Sequence, residues 1–343
     1  MRRKSAIALM LALILSLAGC GGGPQGAGEK PLEITICHGY STSDSNNPCQ
    51  YFATKFIEYV GEEAGDQVKF NIVGDSLAGG DLEVLEGLRF GTADMMIIAP
   101  DDMGTLQENL LMPAMPFLFS DTENVIAYLD SDIFRNELVK FEEEYGPHTL
   151  GIGINGFRQM INTKHPITCK DDLKGMKWRV PQDPLYLSTY KYLDTRPTPV
   201  SGDEMFSALQ QGIVDGQCLP VSGVVSYGYD EIIDYLDVTN HMFTAWCLEI
   251  RGDLYDSLTP ELQAIFDEAG RKAAEDQRAL VQKDFERELK EVRDAGVAVN
   301  ANVDTESMRE AMAPLYDEYR EKFGHEFWDA SVKLIEEERA AKE

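Results

Sequence analysis

The residues of this 343-residue chain whose types and spacing point to chemistry lie between Asp171 and Pro220. The stretch opens DDLKGMKWRVP, read as a polar turn leading into a short apolar strand that Pro181 ends. Arg179 then sits at a strand tip beside a loop. There its guanidinium can meet a carboxylate in two-point contact, because its fork of donors matches the two oxygens. The plainer role for such an arginine is a structural ion pair. The stretch closes EMFSALQQGIVDGQCLP. This reads as an amphipathic helix from Asp203 to Gln211, a stop at Gly212, and a short strand, with Gly216 turning the chain back towards Arg179.

Patterns of covalent chemistry are missing from the sequence. An enzyme needs a nucleophile–base pair or a metal set. The five histidines form no HExxH, and there is no G-x-S-x-G elbow. No CxxC with a nearby His pair suggests zinc. Gly74-Asp75-Ser76-Leu77-Ala78-Gly79-Gly80 lacks the Lys and Ser/Thr with which a phosphate loop holds phosphate and magnesium. The chain therefore reads as a non-enzyme with no cofactor and no metal site. Its formal net charge of −28 argues against nucleic acid, which needs a basic face. Such a charge speaks to solubility more than to a pocket.

The amino terminus reads as an address. Arg2, Arg3 and Lys4 precede an apolar run from Ala6 to Leu17, too short for a stable membrane span. Leu17-Ala18-Gly19-Cys20 then resembles a lipobox. Residues 1–19 are expected to be a signal peptide, cleaved before a Cys20 that is lipidated. Residues 20–30 would be the anchor and a Gly-rich tether, placing a soluble body in the periplasm or outside the cell envelope. Losing the three basic residues leaves a charge of −31. Five cysteines remain, an odd number. Cys37 with Cys49 and Cys218 with Cys247 are possible disulfides, and free buried thiols fit equally well.

The elements that must position Arg179 follow from periodicity. Leu32 to Ile36 is a strand, a helix starts at Pro48 and runs to Ala64, and Val68 to Val73 is a second strand. This opening places a loop containing His38 at the carboxyl end of the first strand, where open α/β sheets bind ligands. His38 is either a pocket contact or an ordinary hydrogen-bonding histidine. Asp81 to Phe90 is helical, Asp94 to Ala99 a buried strand, Thr122 to Glu144 mostly helical, and Thr149 to Asn155 a strand. Asp230 to Leu236 reads as a helix and Phe243 to Ile250 as a strand carrying Trp246. Thr259-Pro260-Glu261 is a cap followed by Pro, and helical spacing continues to Asp294 with a stop at Gly296. Val303 to Glu343 suits two or three amphipathic helices.

Taken together, these motifs resemble the substrate-binding proteins of tripartite ATP-independent periplasmic (TRAP) transporters, the dicarboxylate-binding-protein-like (DctP) family, here in lipoprotein form. The resemblance rests on Gly156-Phe157-Arg158, on Asp172-Leu173-Lys174-Gly175-Met176-Lys177-Trp178-Arg179-Val180-Pro181 and on Pro197-Thr198-Pro199. It continues through Glu204 with Ala208-Leu209-Gln210, and Val214-Asp215-Gly216-Gln217-Cys218-Leu219-Pro220. The element Gly91-Thr92-Ala93-Asp94 and Pro116-Phe117-Leu118-Phe119 fit it too.

The resemblance implies a two-lobed, periplasmic-binding-protein-like α/β fold with hinge strands and one long helix across both lobes. Lobe 1 would be residues 31–153 with 246–284, and lobe 2 residues 154–245 with 285–343, the tail packing on lobe 2. A coiled-coil dimer is the other use of so long a helix, but no strict heptad seam is present. Arg179 would clamp a carboxylate and Arg158 assist it or form a salt bridge. Trp246 would be core or stack on the ligand, with Gln182 nearby. The family's usual Q-E-N-P is here Gln217-Cys218-Leu219-Pro220. Leu219 can neither donate nor accept a hydrogen bond, and Cys218 replaces an acid. This predicts an apolar pocket wall and a monocarboxylate with an apolar or aromatic body, rather than a sugar acid or dicarboxylate. The implied partners are a small organic acid and the small and large TRAP membrane subunits. An ABC-type or sensory binding lipoprotein is the nearest rival.

Overall fold

The computed structural model describes residues 30–43, 45 and 47–342. The leader, Cys20 and most of the tether lie outside them.

The chain begins with β1 (Leu32–Cys37), α1 (Pro48–Ala64) and β2 (Val68–Val73). Asn47 caps α1 by accepting from the backbone N–H groups of Cys49 and Gln50, and Pro48 occupies the first turn, where its missing N–H costs nothing. Next come α2 (Asp81–Phe90), β3 (Met95–Ile98), α3 (Pro100–Met103), α4 (Thr122–Asp130) and α5 (Asp132–Tyr145). Then follow β4 (His148–Asn162), β5 (Lys177–Val180), α6 (Pro184–Tyr192), β6 (Arg196–Pro199), α7 (Met205–Gln210), β7 (Gly216–Pro220) and α8 (Val221–Ser226). The remainder is β8 (Tyr235–Ile250), α9 (Gly252–Ser257), α10 (Pro260–Asp294), β9 (Ala298–Asn300), α11 (Thr305–Glu310), α12 (Ala313–Phe323) and α13 (His325–Ala340).

The nine strands form one hydrogen-bonded sheet ordered β2-β1-β3-β8-β4-β7-β5-β6, with β9 on β8. At one end β1, β2 and β3 are parallel, and at the other β5, β6 and β7 are parallel. The antiparallel pair β4 and β8 joins the two ends, paired from His148 opposite Ile250 to Asn162 opposite Tyr235. At roughly 3.3 Å per residue each of these strands spans about 50 Å, so it belongs to both halves. The 35-residue α10, at 1.5 Å per residue, covers a similar length. Its Phe266, Ala269 and Ala273 pack into the core under β1–β3, and its Leu289 and Val292 into the core under β7. The result is a mixed α/β, two-lobed architecture.

Close packing of α10 on β4 depends on missing side chains. A Cβ on Gly270 would lie 2.3 Å from the Leu150 carbonyl oxygen, and one on Gly151 2.4 Å from that of Gly270. Two turns further on, Gln277 uses both ends of its amide on the backbone of Ile154. The β4/β8 ladder shifts register nearby, between Ile154 and Gly156 and again between Arg158 and Met160. Such bulges bend the strand locally.

Four expectations require correction. The strand of Thr149 to Asn155 does not stop before Gly156 but runs on through Arg158 to Asn162, because β7 pairs with that extension. Of the helix expected over Asp230 to Leu236, only a single turn at Tyr229–Glu231 forms. Tyr235, Leu236 and Asp237 are drawn into β8 by pairing with both β4 and β9, so tertiary pairing overrides local spacing. Gly216 does not turn the chain. It begins β7 opposite Trp178, where a Cβ would lie 2.5 Å from the indole. The tail does not pack on the second half alone. Asn124 of α4 donates to the Ile335 carbonyl of α13 at 2.9 Å, and the Tyr128 hydroxyl meets that of Ser331 at 3.1 Å.

Candidate functional site

Alternation along β5 sends Trp178 and Val180 into the core, both fully buried, and Arg179 to the opposite face. Arg179 is 6 % exposed. Its Nε donates to the Val200 carbonyl at 3.0 Å, while its two terminal nitrogens make no hydrogen bond to any described residue. Among the described residues no carboxylate lies within ion-pair distance of it. Burial, then the charge of Arg158, lowers its proton affinity, but a guanidinium stays charged through such a shift. The Tyr229 hydroxyl lies close by, against the Gln217 amide, and beyond each other these two groups find no partner among the described residues. Buried polar groups are normally paired, so this corner holds donors and acceptors in reserve.

Arg158, on β4, which β7 separates from β5, is held on every side. Its Nε donates to Cys218 Sγ at 3.1 Å, Nη2 to the Cys218 carbonyl at 2.7 Å and Nη1 to Thr244 Oγ1 at 3.0 Å. Its guanidinium lies over the Tyr186 ring, 5.2 Å from the centroid. Burial opposes ionisation of the Cys218 thiol, but Arg158, His241 and Tyr190 outweigh it and bring it down to about 6. Cys218 thus binds Arg158 through both its sulfur and its carbonyl, rather than forming an apolar wall. The salt bridge considered for Arg158 is replaced by this thiol contact.

Elements of the first half close over the arginines. Asp101, in the first turn of α3 at the carboxyl end of β3, accepts from the Tyr186 hydroxyl at 3.0 Å. Asn155 donates to the Tyr40 hydroxyl at 2.8 Å and accepts from Ser222 at 2.8 Å. Asn47 donates to Ser226 at 3.1 Å, and the rings of Tyr40 and Tyr227 lie 5.0 Å apart. These contacts join the loops after β1 and β3 to α6 and α8.

The other expected site residues are placed variously. His38 is 4 % exposed, with Nε2 against Gln50 Oε1 at 3.0 Å and Nδ1 accepting from the Tyr40 N–H at 3.3 Å, so it braces its loop. Burial lowers its pKa and favours the neutral ring. Trp246 packs edge-on to Tyr40, centroids 5.5 Å apart, and its buried Nε1 has no partner among the described residues. Leu219 is buried in the core with Val221 and Val224. Gln182 is exposed in the turn after β5. All five described cysteines are free, so neither disulfide forms. Among the described residues, no group of His, Cys, Asp or Glu is arranged to hold a metal, and no helix is long and apolar enough to cross a membrane.

Sequence reasoning missed Tyr40, Asp101, Asn155, Asp183, Tyr186, Gln217, Ser222 and Tyr229. For two of them a signal was present. Asp101 and Asp183 each begin a helix directly after a strand, the position that brought His38 to notice.

An α/β sheet shared by two halves, whose loops and helices meet near two buried arginines, has the architecture of a two-lobed solute-binding protein. The chain belongs to the DctP family, the bacterial extracellular solute-binding proteins of family 7, whose pattern matches residues 38–322. It is 30% identical over 269 residues to a solute-binding protein of Verminephrobacter eiseniae, covering 78% of this chain and 80% of that one. It is 27% identical over 274 residues to the 2,3-diketo-L-gulonate-binding periplasmic protein of Escherichia coli K12, covering 80% and 83%. A crystal structure of a TRAP periplasmic solute-binding protein from Polaromonas sp. JS666 bound to D-erythronate superposes with a TM-score of 0.84. It is 29% identical, covering 88% of this chain and 98% of that one.

Proposed function

We propose that this chain captures a small organic carboxylate outside the cytoplasm, with Arg179 as clamp, and delivers it to the small and large membrane subunits of a TRAP transporter. In this reading lobe 1 is residues 31–153 with 246–284, lobe 2 is residues 154–245 with the end of α10, and the tail of α11–α13 packs on both. The bulge at Gly156 is the hinge. A lipid on Cys20 holds the body at the membrane, and catalysis has no part.

The observation that carries this reading is the pair of unbonded terminal nitrogens on a 6 %-exposed Arg179. A buried guanidinium without a counter-ion is costly unless something anionic completes it. Closure removes water, which strengthens the pair that the ligand then makes. No covalent step is needed.

The free polar atoms of Gln217, Tyr229 and Trp246 favour a ligand body with hydrogen-bonding groups. This revises the apolar or aromatic body expected from Leu219 and Cys218, both of which are engaged elsewhere. Relatives that bind D-erythronate and 2,3-diketo-L-gulonate support the revision. A thermal-shift screen over organic acids tests it, since a ligand bound only to the folded form raises the melting temperature. Titration of Arg179→Ala with the strongest hit then tests the clamp, and undiminished affinity would falsify it. An ABC-type or sensory role predicts the same binding. Genes for two TRAP membrane subunits beside this one separate these cases.

A further inference from the structure

The crevice holds opposite charges that do not meet. Arg158 lies over the Tyr186 ring, Asp101 of α3 and Asp183 of the turn before α6 both bond that tyrosine, and the half-buried Asp102 adjoins Asp101. Among the described residues none of these three carboxylates forms an ion pair with a lysine or arginine. Asp101 is 9 % exposed, and the hydroxyl of Tyr186 on one of its oxygens is its side-chain hydrogen bond. Arg158 lies over the face of that same tyrosine, 5.2 Å from its centroid, and does not pair with Asp101. Asp183 is 6 % exposed. Its Oδ1 caps α6 by accepting from the N–H groups of Leu185 and Tyr186. Its Oδ2 is sealed from solvent with no partner among the described residues.

We propose that the ligand carries a cationic amine besides its carboxylate, and that Asp101, Asp102 and Asp183 form the subsite that receives it. The proposal rests on the carboxylate reading of Arg179 given above. Buried charges are paired or costly. Here both signs are buried in one crevice and kept apart, and a molecule with an anionic and a cationic end satisfies both. Hydroxyl groups suit this wall less well. Ionised carboxylates only accept, and three together oversupply acceptors, whereas an ammonium brings three donors and the opposite charge.

The state of the empty crevice agrees. Burial, then the Asp101 charge, pushes Asp183 up to about 7. Burial also raises Asp101, against the pull of Arg158 and Tyr186, and burial with the neighbouring Asp81, Asp101 and Asp183 raises Asp102. Lys322 is the other cation bearing on Asp183, and Glu318 accepts from it at 2.9 Å. Each of these shifts favours the protonated carboxyl in the empty crevice, and an arriving ammonium opposes it.

The test is calorimetric titration of the full mature chain with matched pairs: L-α-amino acids against the corresponding L-α-hydroxy acids, and 4-aminobutanoate and 5-aminopentanoate against their hydroxy counterparts. Sugar acids, including D-erythronate, form a third arm. The expected result is an amino member at least tenfold tighter than its hydroxy counterpart, with net proton release at pH 7 in buffers of different ionisation enthalpy. Asp101→Asn should bring that ratio towards one, and Asp183→Asn, which can still cap α6, should do the same. Equal or tighter binding of the hydroxy member, or of a sugar acid over every amine, overturns the amine subsite. The Arg179 clamp survives that outcome if Arg179→Ala weakens whichever acid binds. If nothing in any arm binds, the carboxylate reading and the amine subsite fail together.

Discussion

Arg158 and Arg179 lie on strands of one sheet, are buried to nearly the same degree and carry the same charge. Their surroundings differ entirely. Arg158 bonds through all three nitrogens, to one thiol, one carbonyl and one hydroxyl, and rests on a tyrosine face. Arg179 is tethered at Nε alone. The first is part of the protein's own structure, while the second is fixed in position and unsatisfied at its tip. Burial therefore does not separate a structural arginine from a binding one. The separation comes from counting which donors already have acceptors.

Exchanging the two side chains for alanine should break the symmetry in opposite directions. Arg158→Ala leaves the Cys218 sulfur and carbonyl and the Thr244 hydroxyl without their donor, and removing one partner of a buried charged pair costs about 3 kcal/mol. Urea unfolding should register that loss. Arg179→Ala removes a charge with no protein counter-ion, so unfolding should change little. Carboxylate affinity should fall at least tenfold, about 1.4 kcal/mol. If Arg179→Ala proves the less stable variant and Arg158→Ala the weaker binder, the two roles have been assigned backwards.

Cys218→Ser sharpens the same comparison. The thiol is brought down to about 6 in the folded chain from an ordinary value of 9.0. A group whose folded pKa is depressed adds stability that is complete above its unfolded value and lost as pH falls through its folded value. The wild type should thus gain on Cys218→Ser as pH rises from about 6 to about 9, and the two should converge below about 6. At about 1.4 kcal/mol per unit, a drop from 9.0 to about 6 makes the gap at high pH about 4 kcal/mol when fully expressed. Unfolding curves that stay parallel across this range would show the sulfur to be neutral.

The placement of Arg179 was legible because its motif is local: Asp172 to Pro181 is one unbroken run that names the strand, its end and the arginine on it. The lock on Arg158 was not, since its partners Cys218 and Thr244 lie 60 and 86 residues away. Only the pairing of β4 with β7 and β8 brings them together. The same distance hid the carboxylates. Asp183 could be read as a cap before Pro184, but its approach to Asp101 depends on two lobes closing. The β1-α1-β2 opening and the length of α10 were readable, because cap, Pro and periodicity agree there. Asp230 to Leu236 misled because its spacing is helical, while its hydrogen bonds go to strands far along the chain.

The smallest expected effect is also the strictest control on where the crevice ends. Gln182 lies between two residues of consequence, Val180 beside the clamp and Asp183 at the helix cap, yet its side chain is exposed. An exposed polar residue outside caps and networks changes stability by no more than about 0.5 kcal/mol. Gln182→Ala should therefore leave unfolding within that margin and carboxylate affinity within about twofold, which is smaller still on the scale of 1.4 kcal/mol per decade. A loss near that of Arg179→Ala would mean that the turn after β5 folds inward on the bound solute. The anion would then be gripped by a loop as well as a strand, and the contrast between the two arginines would be only part of the recognition.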